Sequence, residues 1–463
     1  MQSGLNYRRT ALLLAVYAMI GLAVGLVAIV FQQLMSVFNI LLLEGIAGYG
    51  ETRIVWGERR LSLPWTRPPS VRWWLLPGLT GLGGLLTGLI VYRFAPEAAG
   101  HGTDEVIHAY HREGGRLRLR GSIVKMIASA ITLGTGGSGG KEGPIAQIGA
   151  GFAALIAQSV PFLRAYRREI LLAGMAAGIA AIFRAPLAAA IFATEILYSD
   201  LRFEGRVLIP AVIASATAYA VYTMYFGFAP VFAVPAFDYG FSLADFPAFT
   251  VLGLVTALAA VLFVRVFYLV RKTFRDWRIP RALKPAIGGL LTGTIAIAVP
   301  PVLGEGTFGL QKIIDGRFPL GILALCCVGK TVATSLSIGS GGSGGVFGPS
   351  LFVGAALGGA FGGVYQWIFP GSDIPLTVFI LLGMVGFFSG AANAPLSTVI
   401  IVAEMTRTFS LLAPFIWVSA FGFLFSQRWN IYENQLPLVE DVLANVVDDD
   451  MGRTSCGTAY NGT

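Results

Sequence analysis

The sequence predicts an all-α integral membrane protein made of two related halves whose helices are broken by glycine-rich segments. Three observations carry that expectation. Hydrophobic residues fill 55% of the 463 positions against 13% charged, and mean hydropathy is +0.71, outside the balance of a soluble domain. Apolar runs long enough to cross ~30 Å of hydrocarbon recur along the chain. One Gly-rich segment returns nearly half a chain later. Helices follow because hydrocarbon does not tolerate open sheet edges or lipid-exposed irregular backbone.

The first run, Ala11 to Phe31, follows Arg8 and Arg9. It is too long for a signal peptide and lacks a clear small-residue cleavage site, so it reads as a retained span with a cytoplasmic start. Trp73 to Tyr92, Phe249 to Tyr268, Ala286 to Val302 and Leu411 to Phe425 read as further spans. Basic segments at Arg112 to Arg120, Arg164 to Arg168 and Arg271 to Lys284 fit cytoplasmic loops. Glu51 to Arg72, with five arginines, disagrees with a simple two-span start. The net charge of +8 belongs mostly to these loops. A nucleic-acid partner is not expected, since no soluble domain offers a basic face. Cys326 and Cys327 sit together in an apolar run and Cys456 in a polar tail, with neither metal spacing nor a disulfide framework.

The segment ITLGTGGSGGKEGPIAQIGA, Ile131 to Ala150, returns as LSIGSGGSGGVFGPSLFVGA, Leu336 to Ala355, with half of the aligned positions identical. The same displacement relates GGLLTG at Gly83 to Gly88 with GGLLTG at Gly288 to Gly293, and nearly the same one relates GHGT at Gly100 with GEGT at Gly304. Ala185-Pro186-Leu187 and Glu195 return as Ala394-Pro395-Leu396 and Glu404. The expected organisation is an N-terminal segment and first span (1–76), a first repeat (77–226), a connector (227–284), a second repeat (285–436) and a short tail (437–463), acidic and then Gly/Ser/Thr-rich from Asp441 and expected to be partly disordered. The repeat alone leaves parallel and inverted arrangements open.

In GGSGGKEGP and GGSGGVFGP, a proline follows a glycine just before an apolar run, which suits Pro144 and Pro349 as first helical residues. A helix start presents unpaired N–H groups and partial positive charge. Backbone near Lys141 to Gly143 and near Gly345 to Phe347 is therefore suited to hold an anion. The plainer alternative is close helix packing through small residues. A dinucleotide site is not expected, because no strand precedes either GxGxxG. A phosphate loop is not expected either: Thr135 stands where its first glycine belongs and Glu142 where it needs Ser or Thr.

Glu142 is the sharpest residue in the chain. A carboxylate at a helix start within a membrane must pair, protonate or line a pathway. Being an anion itself, it can occupy a permeant anion's site and leave when protonated, which would make a pH-sensitive gate. The structural alternative is a cap paired to Lys141.

From Leu13 to about Leu443 the chain resembles the CLC family of chloride channels and chloride/proton exchangers. Gly140-Lys141-Glu142-Gly143-Pro144 is similar to the family's G(K/R)EGP gate motif, Gly345-Val346-Phe347-Gly348-Pro349 to its GxFxP motif, and Ile431-Tyr432-Glu433-Asn434-Gln435-Leu436 to the segment with its coordinating tyrosine. The resemblance implies inverted halves with broken and re-entrant helices, and a homodimer with one pathway per subunit. It implies bound chloride held by the amides of Val346 and Phe347 and the hydroxyl of Tyr432, with Lys141, Gly143 and Gly345 as helix-start contacts and Glu142 as external gate. Pro144 and Tyr432 favour chloride over fluoride.

Two departures stand out. The family's GSGIP appears as Gly100-His101-Gly102-Thr103-Asp104, so His101, beside Gly102, replaces the serine expected to meet the central anion. A neutral imidazole would donate one N–H, and a protonated one would add charge near its reference pKa of ~6.5. The alternative is that His101 turns aside. Second, Ile196 stands where the family's exchangers usually carry an internal acidic proton acceptor. Glu195 aligns beside that place, and its counterpart Glu404 favours a structural role for both.

The resulting expectation is chloride transport through a pathway gated by Glu142, with passive conduction placed ahead of chloride/proton exchange because Ile196 cannot carry a proton. Exchange by a non-standard proton route is the alternative. A membrane-embedded metal enzyme using His101, Glu105 and His108 is the remote one. No cofactor beyond bound chloride is expected. The expected setting is a bacterial inner membrane with both termini cytoplasmic.

Overall fold

The computed structural model describes residues 2–49, 54–56, 59–61, 71–199 and 203–436. The tail expectations from Asp441 and Cys456, and most of the basic loop between Glu51 and Arg72, lie outside the described residues. Helix α1 (Gln2–Phe38) precedes a small antiparallel hairpin of β1 (Ile54–Trp56) and β2 (Arg59–Leu61). The first half then holds α2 (Leu76–Phe94), α3 (Thr103–His111), α4 (Leu119–Gly134), α5 (Glu142–Ser159), α6 (Arg167–Phe183), α7 (Pro186–Glu195) and α8 (Gly205–Phe226). A long linker, α9 (Phe246–Asp276), leads to α10 (Lys284–Ala298), α11 (Thr307–Ile314), α12 (Leu320–Gly339), α13 (Phe347–Ile368), α14 (Leu376–Ala392), α15 (Pro395–Thr406) and α16 (Leu412–Leu424). Each of α2 to α8 thus has a counterpart, in order, among α10 to α16.

The two halves are inverted. Gly140 and Gly345, equivalent residues of the repeated motif, exchange both backbone hydrogen bonds at 2.6 Å as an antiparallel bridge. A residue can pair with its own counterpart only on a two-fold axis, and the antiparallel sense puts that axis across the chain direction. Hydroxyl pairs obey the same axis. Ser129 Oγ meets Ser343 Oγ at 2.9 Å, and their counterparts Thr334 and Ser138 meet at 2.9 Å. Thr87 and Thr132 meet at 2.8 Å, as Thr292 and Ser337 do at 2.9 Å. The two GGLLTG segments pack α2 against α10: a Cβ at Gly84 would lie 2.0 Å from the Pro285 carbonyl oxygen, and one at Gly289 would lie 2.2 Å from that of Thr80.

Local chemistry breaks the helices at matching places. α6 ends at Arg184 and α14 at Asn393, both left-handed (φ 53°). The next residues, Ala185 and Ala394, are pushed out of helical geometry by the prolines that open α7 and α15. Gly136 and Gly341 turn the chain ahead of α5 and α13 at φ 96° and 102°.

Six described helices are long and apolar enough to span a membrane: Arg9–Glu44, Trp73–Phe94, Gly205–Phe226, Leu243–Asp276, Leu320–Gly339 and Phe347–Ile368. Two expected spans are shorter than their apolar runs. α10 stops at Ala298 because Pro300 and Pro301 follow, and α16 has only 13 residues. α6 and α14 are buried almost all round, as helices without a polar face should be at the centre of a bundle.

Candidate anion site

The starts of α5 and α13 meet beside the Gly140–Gly345 bridge. α5 begins at Glu142 and α13 at Phe347, each two residues ahead of the expected proline. Any residue of a first helical turn lacks an intrahelical acceptor for its N–H, so proline is tolerated beyond the first position. The first intrahelical bonds run from Ile145 N–H to Lys141 O and from Ser350 N–H to Val346 O, 3.0 Å each. The earlier amides, including Gly143, Phe347 and Gly348, are thereby left to face the point where the two helices converge.

Glu142 is buried there, and its Oε2 accepts the Gly348 N–H at 3.3 Å. A carboxylate of the first half therefore sits on the positive end of a helix from the second, where a permeant anion would sit. Glycine makes the cradle: a Cβ at Gly140 would lie 2.0 Å from Glu142 Oε2, and one at Gly348 2.9 Å from Oε1. Lys141 does not pair with Glu142. Its ammonium binds Glu305 Oε2 and Gln32 Oε1, each at 3.0 Å, and both partners line a cavity of about 620 Å³ with Lys141 on its wall. Glu305 is the repeat counterpart of His101.

On the other side of the cradle lie His101 and Tyr432, both buried, with ring centroids 5.5 Å apart and edge-on. The turn through Gly102 (φ 88°) presses His101 against α5, and a Cβ at Gly143 would come within 1.9 Å of the His101 carbonyl oxygen. His101 Nδ1 is buried with no hydrogen-bond partner. A buried imidazole nitrogen without a partner is costly, and this residue's backbone packs on the start of α5. Val346 and Phe347 are also buried. The Phe347 ring packs on Phe388 at 3.9 Å and Phe183 at 4.5 Å, which fixes its backbone.

Several supporting residues escape sequence reading. Asp104 accepts from the Asn434 backbone N–H at 2.9 Å and the Asn434 side chain at 2.7 Å. Gln435 Nε2 donates to Ile196 O at 3.0 Å, and Tyr268 OH to Ile431 O at 3.0 Å. Together these hold Tyr432 in place. Lys125 and Lys330, repeat counterparts on α4 and α12, are fully buried. Lys125 donates to the carbonyls of Ala98 (3.2 Å) and Gly100 (2.6 Å), and Lys330 to those of Val302 and Gly304 (2.9 Å each). Each ammonium turns carbonyl dipoles toward itself and contributes positive potential next to a broken loop. Their matched positions in two apolar runs were the available signal.

Ile196 is buried and bears no polar side chain. Glu195 accepts from Leu396 N–H (3.0 Å), Ser397 N–H (2.8 Å) and Ser397 Oγ (2.5 Å) at the start of α15. Glu404 accepts from Leu187 N–H (3.4 Å) and Ala188 N–H (3.0 Å) at the start of α7. Each glutamate thus caps the start of the helix that carries the other, as a shared structural role requires. The His101, Glu105 and His108 grouping is not assembled: no cluster of three metal-ligating side chains forms among the described residues, because α3 begins only after the Gly102 turn.

Comparison with known proteins gives a consistent picture. A family model described as voltage gated chloride channel matches residues 83–427. The H(+)/Cl(-) exchange transporter ClcA of Vibrio cholerae is 30% identical over 88% of this chain and 85% of its own length. A protein of Ralstonia nicotianae named as a ClcB-like chloride channel is 30% identical over 77% of this chain and 83% of its own. Among solved structures, a CLC-type fluoride/proton antiporter superposes with TM-score 0.78 at 22% identity, covering 93% of this chain and 99% of that one. A slow cyanobacterial Cl-/H+ antiporter superposes with TM-score 0.77 at 19% identity, covering 95% and 99%. At those identities the likeness establishes the fold.

Proposed function

Because the chain belongs to the voltage-gated chloride channel (CLC) family, we propose that it exchanges chloride for protons across a membrane, with Glu142 as the group for which the two ions compete. The observation that carries this reading is the Glu142 carboxylate seated on the Gly348 amide. A chloride ion can take that seat only if the carboxylate leaves, and protonation weakens its hold on the helix end by removing its charge. Arrival of a proton and arrival of an anion at the cradle are thus linked through one side chain. Val346, Phe347 and Gly348 amides, His101 Nδ1 and the Tyr432 hydroxyl form the rest of the anion's surroundings, and Lys141, Gly143 and Gly345 shape the approach.

Ile196 by itself favours passive conduction. The exchanger relative of Vibrio cholerae, similar over most of both chains, supports the opposite order. Bound chloride is the only ligand this reading requires. The working unit is a homodimer, one pathway per copy, in a bacterial inner membrane with cytoplasmic termini.

Reconstitution in liposomes with a chloride gradient and simultaneous pH recording tests the reading. Protons should move against their own gradient when driven by chloride, and Glu142→Gln should abolish both that movement and the pH dependence of chloride flux. Chloride flux without proton movement in the parent protein would make it a passive conductor.

A further inference from the structure

The apolar stripe that α9 turns outward is interrupted by a cation. Leu258, Leu262 and Leu269 stand exposed along the helix, and Arg265 occupies the same exposed stripe between the last two. The 31 residues of α9 make a helix about 46 Å long, which outruns ~30 Å of hydrocarbon. Counted from Phe246, about twenty residues cross the apolar layer, so Arg265 falls near the level where lipid headgroups begin. A guanidinium there reaches for the interface, and its charge calls for an anion.

The segment after α16 supplies a second wall. Arg428 and Trp429 are exposed there, and the Arg265 guanidinium lies over the Trp429 ring, 4.2 Å from its centroid. A pocket of about 240 Å³ opens between Val264 and Tyr268 of α9 and Arg428, Trp429, Asn430 and Glu433. Glu433, the carboxylate on its wall, is held by Arg271 Nη1 at 2.8 Å. Neither Arg265 nor Arg428 has a carboxylate within ion-pair distance among the described residues. The pocket is therefore positive in balance, bears a tryptophan of the kind that marks a membrane interface, and adjoins a row of leucines.

We infer that this pocket binds the phosphate of an anionic phospholipid from the adjoining leaflet, with Arg265 and Arg428 on the headgroup and the acyl chains along Leu262 and Leu258. Guanidinium groups suit phosphate because their planar forks pair with two oxygens at once. Stacking on Trp429 holds one fork in position before the lipid arrives. A soluble phosphate would use the cations and leave the leucines unused. A zwitterionic lipid offers the same phosphate but sets its own ammonium against two guanidinium groups, which favours an anionic headgroup.

Native mass spectrometry of the full chain in detergent, titrated with palmitoyl-oleoyl phosphatidylglycerol or with the phosphatidylcholine of the same chains, tests the site. It reads binding and not transport, so its result is independent of the exchange reading. The parent protein should hold phosphatidylglycerol about fivefold or more tightly than phosphatidylcholine. Arg265→Gln with Arg428→Gln should weaken phosphatidylglycerol binding about thirtyfold, and either change alone about fivefold. Arg112→Gln with Arg116→Gln removes equal charge from another basic loop and should leave binding unchanged. Equal affinity for the two lipids, no loss in the Arg265 and Arg428 variants, or an equal loss in the control would overturn the inference. Displacement of phosphatidylglycerol by inorganic phosphate at equal concentration would also overturn it, making the pocket a soluble-anion site. If the double variant does not fold, Arg428→Gln decides, since that side chain is exposed: a fivefold loss supports the site and none overturns it.

Discussion

At the scale of single residues, the proposed site seats one carboxylate, Glu142, on the start of α13, the place proposed for a permeant anion. His101 is the residue on which this chain's own character turns. A serine hydroxyl both donates and accepts, whereas a neutral imidazole donates from one nitrogen only, and here Nδ1 is buried without a partner. Removing a hydrogen bond to a charged group costs about 1.5–3 kcal/mol. His101→Ala should therefore weaken chloride binding about tenfold or more, read by calorimetry in detergent. Unchanged affinity would mean that the ring serves packing against Tyr432 and Phe267. His101→Ser resolves the donor's form: an equal deficit at every pH is expected of a neutral donor, and a deficit that grows on acidification would show the imidazolium acting as a charge.

At the scale of elements, the broken helices are made by short-range chemistry and then locked by long-range partners. The Ala-Pro steps at Ala185-Pro186 and Ala394-Pro395, and the glycines at Gly136 and Gly341, are legible because they act through their own backbone. The helix starts at Glu142 and Phe347 are less so, since proline marks a first turn without fixing its first residue. Still less legible are the Asp104–Asn434 link and the Lys141–Glu305 pair, which join distant parts of the chain and leave no local periodicity. The shared structural role of Glu195 and Glu404 is legible as a repeat, but its form, each capping the start of the helix that carries the other, depends on how α7 and α15 meet in space. That form yields a prediction. Glu195→Ala leaves two amides of α15 and the Ser397 hydroxyl without their acceptor. It should cost about 2–3 kcal/mol in stability, seen as a lower melting temperature in detergent. Any protein that remains folded should keep the parent's ratio of proton to chloride movement. A lost ratio with normal stability would give Glu195 a transport role instead.

At the scale of the whole molecule, a two-fold frame carries contents that are no longer two-fold. The frame keeps Gly140 with Gly345, the hydroxyl pairs and the buried lysines; divergence has set Glu142 opposite Phe347 and His101 opposite Glu305. Lys125 and Lys330 show why the frame matters to function. Each is held by carbonyls with no carboxylate within ion-pair distance among the described residues. Buried charge acts over longer range than exposed charge because solvent and salt screen it poorly. Two such ammonium groups, one behind the His101 loop and one behind the Glu305 loop, offset the cost of bringing an anion into the bundle from either side. Lys125→Met should accordingly weaken chloride binding at the His101 end about tenfold or more, with little recovery or further loss as ionic strength is varied with an impermeant salt. Lys330→Met, whose ammonium backs the loop bearing Glu305, should instead slow chloride capture from the 620 Å³ cavity. Calorimetry distinguishes the first effect, and initial flux rates at low chloride the second. If both variants fold and match the parent in both measurements, the lysines act only as staples for their loops, and the anion is stabilised by the helix starts and His101 alone.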